Sequence, residues 1–254
     1  MTEVRWGKLR RDEIGAAAAA GATLLLPTGA VEQHGPHLPL DTDIVDANAV
    51  AERAARLLTD PPALVLPPIW WGLSPYWLSF PGTLTLRPET MLALVSDIGA
   101  SAAHHGFQRV AIVNGHGGNA GLVGVAATQL AEHGLRAVAL SYWDLLGEDL
   151  GRIAPGDAGH IGHAGQTETS IQLYLQPERV REPLPGPEGC ADLTARMAEP
   201  FARVGYAPPD PAREAPLGVY GAAAAARPEI GKELIALAAE RLAEFIRRFV
   251  AAST

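Results

Sequence analysis

Short apolar runs alternate with longer amphipathic ones along most of this chain. Apolar runs bounded by turn residues predict strands at Thr23 to Leu26, Ala63 to Leu66, Arg109 to Val113 and Arg136 to Tyr142. Helical spacing predicts helices over Asp41 to Leu58, Pro88 to His105, Asn119 to His133, Glu168 to Leu175 and Glu229 to Val250. Asp41 and Asp43 are candidate N-caps for the first of these, and Pro88 suits the first turn of the second. In the last, Leu234, Ala238, Leu242, Phe245 and Phe249 recur on one face, the pattern of a packing helix. Pro177, Pro183, Pro185 and Pro187 predict a loop-like excursion, and a second irregular stretch is expected from Ala207 to Ala226. Strands alternating with helices imply βαβ units. The expected fold is therefore a single α/β domain over residues 1–254. It would have three α/β/α layers and a mainly parallel central sheet, with ligands bound at the carboxyl ends of the strands.

Composition narrows the function classes. Of the 254 residues, 48 % are hydrophobic, enough for a sizeable core. The 20 basic residues are outnumbered by 28 acidic ones, and a net charge of −8 argues against nucleic acid or an anionic membrane surface as partner. Cys190 is the only cysteine, so no intrachain disulfide forms. The amino-terminal stretch carries charges where a secretion signal needs an apolar run, and no apolar stretch is long enough to span a bilayer. A cytoplasmic location is expected.

Three segments carry candidate chemistry, each at the end of a predicted strand or the start of a predicted helix. In Glu32-Gln33-His34 the acid and the imidazole share one side of an extended segment, and Asp43 follows across a loop containing Gly35, Pro36 and Pro39. Such a set suits a divalent transition metal, although acids and histidines on a loop can equally be solvated. In Asn114-Gly115-His116-Gly117-Gly118-Asn119 a histidine stands among glycines that permit close backbone approach. It can be a ligand or a packed core residue. A phosphate-binding turn is disfavoured, because the glycine spacing is wrong and no lysine is present. In His163-Ala164-Gly165-Gln166-Thr167-Glu168, an acid entering an apolar helix start is either a ligand or a cap of that helix.

Together GAVEQHGPHLPLDTD, FPGTLTL, VNGHGGN, SYWD and HAGQTETS, in this order and spacing, resemble the creatininase family of amidohydrolases. The resemblance runs from about Leu24 to Leu175 and continues weakly through GVYG and the final helix. It implies a site for two divalent metal ions, zinc, manganese or iron. Glu32, Asp43 and His116 would hold one ion; His34 and Asp43, with Asp43 bridging, would hold the other. Creatininase itself has a glutamate two residues after the histidine of its NGH motif. Gly118 stands there in this chain, and Glu168 is the candidate to complete the second set. The resemblance also gives His163 a proton-transfer role, with Glu168 beside it, and places Trp143 in the pocket. His160 and Trp77 are further candidates to meet substrate, and His37 could support the ligands from behind. A second pocket tryptophan, expected shortly before His163, is absent, with PGDAGHIG in its place. That argues against creatinine.

The implied activity is hydrolysis of a C–N bond in a small amide, lactam or formamide by metal-activated water. The alternatives within the family are a peptidase and a hydrolase of cyclic keto-sugars. Outside it stand a non-catalytic, metal-stabilised ligand-binding protein and a nucleotide-dependent oxidoreductase using the glycine-rich turn. The resemblance further implies a homo-oligomer, a hexamer built from dimers, with the aromatic segment around residues 70–80 as a candidate contact.

Overall fold

The computed structural model describes residues 3–192 and 210–252. Four strands, β1 (Thr23–Thr28), β2 (Ala63–Val65), β3 (Arg109–Asn114) and β4 (Arg136–Ser141), form one sheet in the order β2-β1-β3-β4. Every pair is parallel, with Leu26 beside Ile112 and Ile112 beside Ala139. The predicted strands are all present, and the sheet is wholly parallel.

Alternation along the strands divides the core between two faces. Leu24, Leu26, Leu64, Val110 and Ile112 pack against α1 (Arg11–Ala19), α3 (Pro88–His104) and α4 (Ala120–Glu132). Leu25, Val65, Ala111 and Val113 face the other way, onto α2 (Thr42–Arg56) and the carboxy-terminal helix. After β4 come a short helix α5 (Asp149–Ile153), α6 (Gln166–Leu175) and the carboxy-terminal α7 (Pro228–Ala251). Helix α7 lies over α2 and α6, burying Leu234, Ile235, Ala238, Leu242 and Ile246. Burying such aliphatic side chains stabilises by about 1.5–3 kcal/mol each, so α7 is the packing helix its spacing predicts. Among the described residues, no helix is long and apolar enough to cross a membrane.

Three details differ from the sequence reading. Helix α1 was not expected, because its alanine run shows no amphipathic stripe; alanine's high helix propensity and the capping of Arg10 N–H by the Glu13 carboxylate form it instead. The irregular stretch expected from Ala207 to Ala226 contains a helical turn at Pro211–Glu214 and a 3-10 turn at Ala223–Ala225, while 207–209 lie outside the described residues. Asp41 does occupy the N-cap position of α2, but makes no side-chain cap bond. Asp43 is turned inward and does not cap.

Candidate metal centre

The carboxyl ends of β1 and β3 and the amino end of α2 meet at one point. Gly115, just past β3, lies so close to α2 that a Cβ there would stand 2.3 Å from the Asp43 carbonyl oxygen. This contact places the first turn of α2 beside His116. The loop after β1 is closed by Glu32 N–H donating to Leu40 O at 3.0 Å, and Gln33 N–H donates to Thr83 Oγ1 at 3.1 Å. Glu32, His34, Asp43, His116 and Glu168 are all buried.

Their donor atoms converge. Asp43 Oδ1 lies 3.0 Å from His34 Nε2, and Asp43 Oδ2 lies 3.0 Å from His116 Nδ1. Glu32 Oε1 is 3.3 Å from His116 Nδ1, and Glu168 Oε2 is 3.7 Å from His34 Nε2. Glu32, Asp43 and His116 therefore form one donor triad, His34, Asp43 and Glu168 another, and a third combines Glu32, His34 and His163. The far nitrogen of each imidazole is held by a backbone carbonyl: His34 Nδ1–H by Glu32 O at 3.1 Å, His116 Nε2–H by Leu73 O at 2.9 Å, His163 Nε2–H by Gln33 O at 2.8 Å. A carbonyl can only accept, so each bond keeps a proton on that nitrogen and turns the ring's other nitrogen toward the site. Ser74 Oγ and Tyr76 OH stand 3.2 and 3.5 Å from His116 Nε2.

The electrostatics match a cation. Both Glu32 carboxylate oxygens and Asp43 Oδ2 are buried without a hydrogen-bond partner, and no lysine or arginine pairs with Glu32, Asp43 or Glu168 among the described residues. Three such carboxylates would be costly to leave uncompensated. Burial pulls the His34 imidazole down, but the charges of Asp43 and Glu168 outweigh it and hold its pKa up at about 10. Burial likewise opposes charge on His116, and Glu32 and Asp43 prevail, raising it. Burial raises the Glu168 carboxyl to about 8. The His163 imidazole is driven down, first by burial and then by the charge of His34. The donor set fits oxygen- and nitrogen-liganded divalent metal.

Glu168 lies buried in the first turn of α6. Its Oε2 accepts the Ala164 N–H, and the same oxygen faces His34. The acid missing at Gly118 has no room to exist here. A Cβ at Gly118 would stand 2.1 Å from Leu73 O and 2.6 Å from Tyr76 OH.

A cavity of about 580 Å³ opens onto the donors and is lined also by Tyr76, Trp77, Trp143, Asp144, Leu150, His160, Ile161, His163 and Tyr220. Trp143 and His160 are half-buried at its wall. Trp77 also lines it but is only 2 % exposed, and its ring stacks on His163 at 4.1 Å between centroids. It orients the imidazole more than it offers surface. Trp70 and Trp71, by contrast, are exposed. His37 stands apart from the triads: it is buried and pairs with Thr169 Oγ1 at 2.9 Å.

Sequence reasoning missed Asp157, which ties three segments together. Its carboxylate accepts N–H groups of Gln166 at 2.9 Å, Thr167 at 2.7 Å and Ala222 at 3.1 Å. It thereby caps α6, which carries Glu168, and anchors the Tyr220 segment that pairs with the His163 backbone. Burial nevertheless pushes its carboxyl upward. Asp157→Ala should cost about 2–3 kcal/mol, read as a lowered midpoint in denaturant unfolding, because a cap and further buried donors lose their acceptor. A loss below about 0.5 kcal/mol would refute this role.

Comparison with known proteins agrees with this geometry. The model of the creatininase family, described as creatinine amidohydrolase, matches residues 7–246. The chain is 42 % identical over 164 residues to the mycofactocin precursor peptide peptidase of Mycobacterium ulcerans, a match covering 62 % of this chain and 60 % of that protein. It is 33 % identical to the creatinine amidohydrolase of Pseudomonas putida, covering 95 % of both. It is 27 % identical to the 3-dehydro-scyllo-inosose hydrolase of Thermotoga maritima, over 89 % of this chain. Solved creatininase structures, among them a manganese form and a Zn-Zn form, superpose with a TM-score of 0.81 at 30 % identity over nearly the full length of both chains. The class these findings define is the hydrolases of amidohydrolase type. The chain belongs to the creatininase family.

Proposed function

We propose that this chain hydrolyses a C–N bond of a small amide, lactam or formamide, using two divalent ions of zinc, manganese or iron. The observation that carries this reading is Asp43, whose two oxygens face different histidines at 3.0 Å each, placing one carboxylate between two donor triads. Glu32, Asp43 and His116 would hold one ion, and His34, Asp43 and Glu168 the other. Such a pair, when bound, supplies Lewis acidity to a carbonyl and acidifies water. The protein's own groups supply the rest. Leu73 O and Glu32 O keep His116 and His34 aimed inward. His163, with Nε2–H given to Gln33 O, presents the Nδ1 lone pair to the site; Nδ1 takes a proton from the attacking water and returns it to the departing nitrogen. Trp77 holds that ring and keeps water from its face. Trp143 and His160 meet the substrate.

A peptidase-like reaction is the second reading. The cavity's volume suits a ligand well beyond a single small ring, and the mycobacterial relatives are peptidases. Exposed Trp70, Trp71, Leu78 and Leu84 support assembly into a homo-oligomer. Metal analysis with a screen against small amides, lactams, formamides and short peptides tests the function; full turnover by metal-free protein would reject it.

Metal uptake should depend on pH. The His34 imidazole, held at about 10, must lose its proton to bind, as must the Glu168 carboxyl, held at about 8. Protons therefore compete below these values, and affinity should rise as pH climbs from about 6 toward about 10, with protons released on binding. Calorimetry in buffers of different ionisation enthalpy measures that release; an affinity flat across this range would contradict the assignment.

A further inference from the structure

The charges around the cavity are unevenly matched. Glu32, Asp43 and Glu168 are buried among the imidazoles, whereas Asp144, which lines the same cavity, is exposed and so stands on its solvent side. No lysine or arginine lines the cavity among the described residues. Asp144 forms no ion pair among the described residues; its Oδ2 accepts only a long bond from Ser141 N–H, at 3.3 Å. Asp149, on the next helix, shows what pairing would look like: Arg152 and Arg241 both bind it. Directly before Asp144, on the same 3-10 turn, Trp143 is held edge-on by Tyr142 at 5.3 Å and lines the cavity. A carboxylate and an indole on the wall of one cavity can together receive an organic ammonium group, by charge and by cation–π attraction. An anionic group there would meet Asp144 with no counter-charge.

We infer that Trp143 and Asp144 form a subsite for a protonated amine. The substrate class is then an amide that carries a free amino group away from the bond cleaved, such as an aminoacyl amide or a short peptide with a free amino terminus. This inference rests on the metal-dependent hydrolase reading above and narrows its substrate. The two ions would carry more charge than the three carboxylates around them. The cavity would therefore be positive at the donors and negative at Asp144, complementary to a molecule with a carbonyl at one end and an ammonium at the other.

Hydroxamates separate the two claims, because the hydroxamate group chelates metal whatever the rest of the molecule is. Zinc-loaded full-length protein is titrated calorimetrically with phenylalanine hydroxamate and with its N-acetyl derivative, for wild type and for Asp144→Asn, which keeps an acceptor for Ser141. The free amine should bind about two- to fivefold more tightly than the acetylated form in wild type, the range of a solvated charge pair. That preference should shrink in high salt and fall in Asp144→Asn to the small part that Trp143 alone supplies. Equal affinities in wild type, or a preference undiminished in Asp144→Asn, overturn the subsite while leaving the hydrolase reading in place. Failure of both hydroxamates to bind zinc-loaded protein overturns that reading, and the subsite with it.

Discussion

Asp43→Ala should abolish tight binding of both metal ions and lower turnover by at least about a thousandfold on any amide the wild type cleaves. No other side chain belongs to both the Glu32–His116 and the His34–Glu168 triads. On the proposed reading, removing it would delete a donor from each triad and the carboxylate common to both. Lewis-acid stabilisation is worth several kcal/mol of barrier, and about 4 kcal/mol corresponds to a factor of about a thousand. The melting temperature gives a readout that needs no substrate. Wild type should gain stability with zinc, by about 2.7 kcal/mol when free zinc is about a hundredfold above the dissociation constant. The variant should gain little. His116→Ala is the comparison, since it removes a donor from one triad only and should leave one ion per chain. Metal content and zinc-dependent melting of Asp43→Ala indistinguishable from wild type would end the binuclear assignment.

Much of this site was legible in the sequence, and the part that was not has a physical reason. Glu32, His34, Asp43, His116 and Glu168 stand out through the ordered motifs that resemble the creatininase family, since each segment alone allows a solvated, packed or capping role, and the structure brings all five together. The strands and the carboxy-terminal helix were equally readable, because their apolar periodicity decides what is buried. What escaped depends on contacts between distant segments. Nothing local marks Asp157 as the acceptor for Gln166, Thr167 and Ala222, nor Leu73 O as the group that orients His116. The sequence makes Trp77 a candidate to meet substrate; the fold adds that it lines the cavity with its ring against His163. At Gly118 the segment of Leu73 and Tyr76 fills the space that an acid would need, while Glu168 of α6 lies with His34 and Asp43 in the second donor triad.

His163→Ala should keep both ions and lose about a hundred- to ten-thousandfold in rate, the range of a lost general acid–base group. The geometry leaves His163 two roles, and this variant separates them. Its Nδ1 lies 3.4 Å from Glu32 Oε1 and could join Glu32 and His34 as a metal ligand. Yet His34 Nε2 lies closer to Asp43, at 3.0 Å, and both oxygens of Asp43 already face the other two imidazoles. The two triads built on Asp43 do not include His163, and on the proposed reading its inward nitrogen would serve proton transfer. The backbone around it should survive the substitution, because the pairing to the Tyr220 segment runs through His163 N–H and C=O at 2.9 and 2.8 Å. The void left beside Trp77 is the size of an imidazole, so adding free imidazole should recover part of the rate. Wild-type metal content with a collapsed rate and imidazole rescue is the expected result. Loss of one ion along with the rate would instead make His163 a ligand and move the proton-transfer role elsewhere.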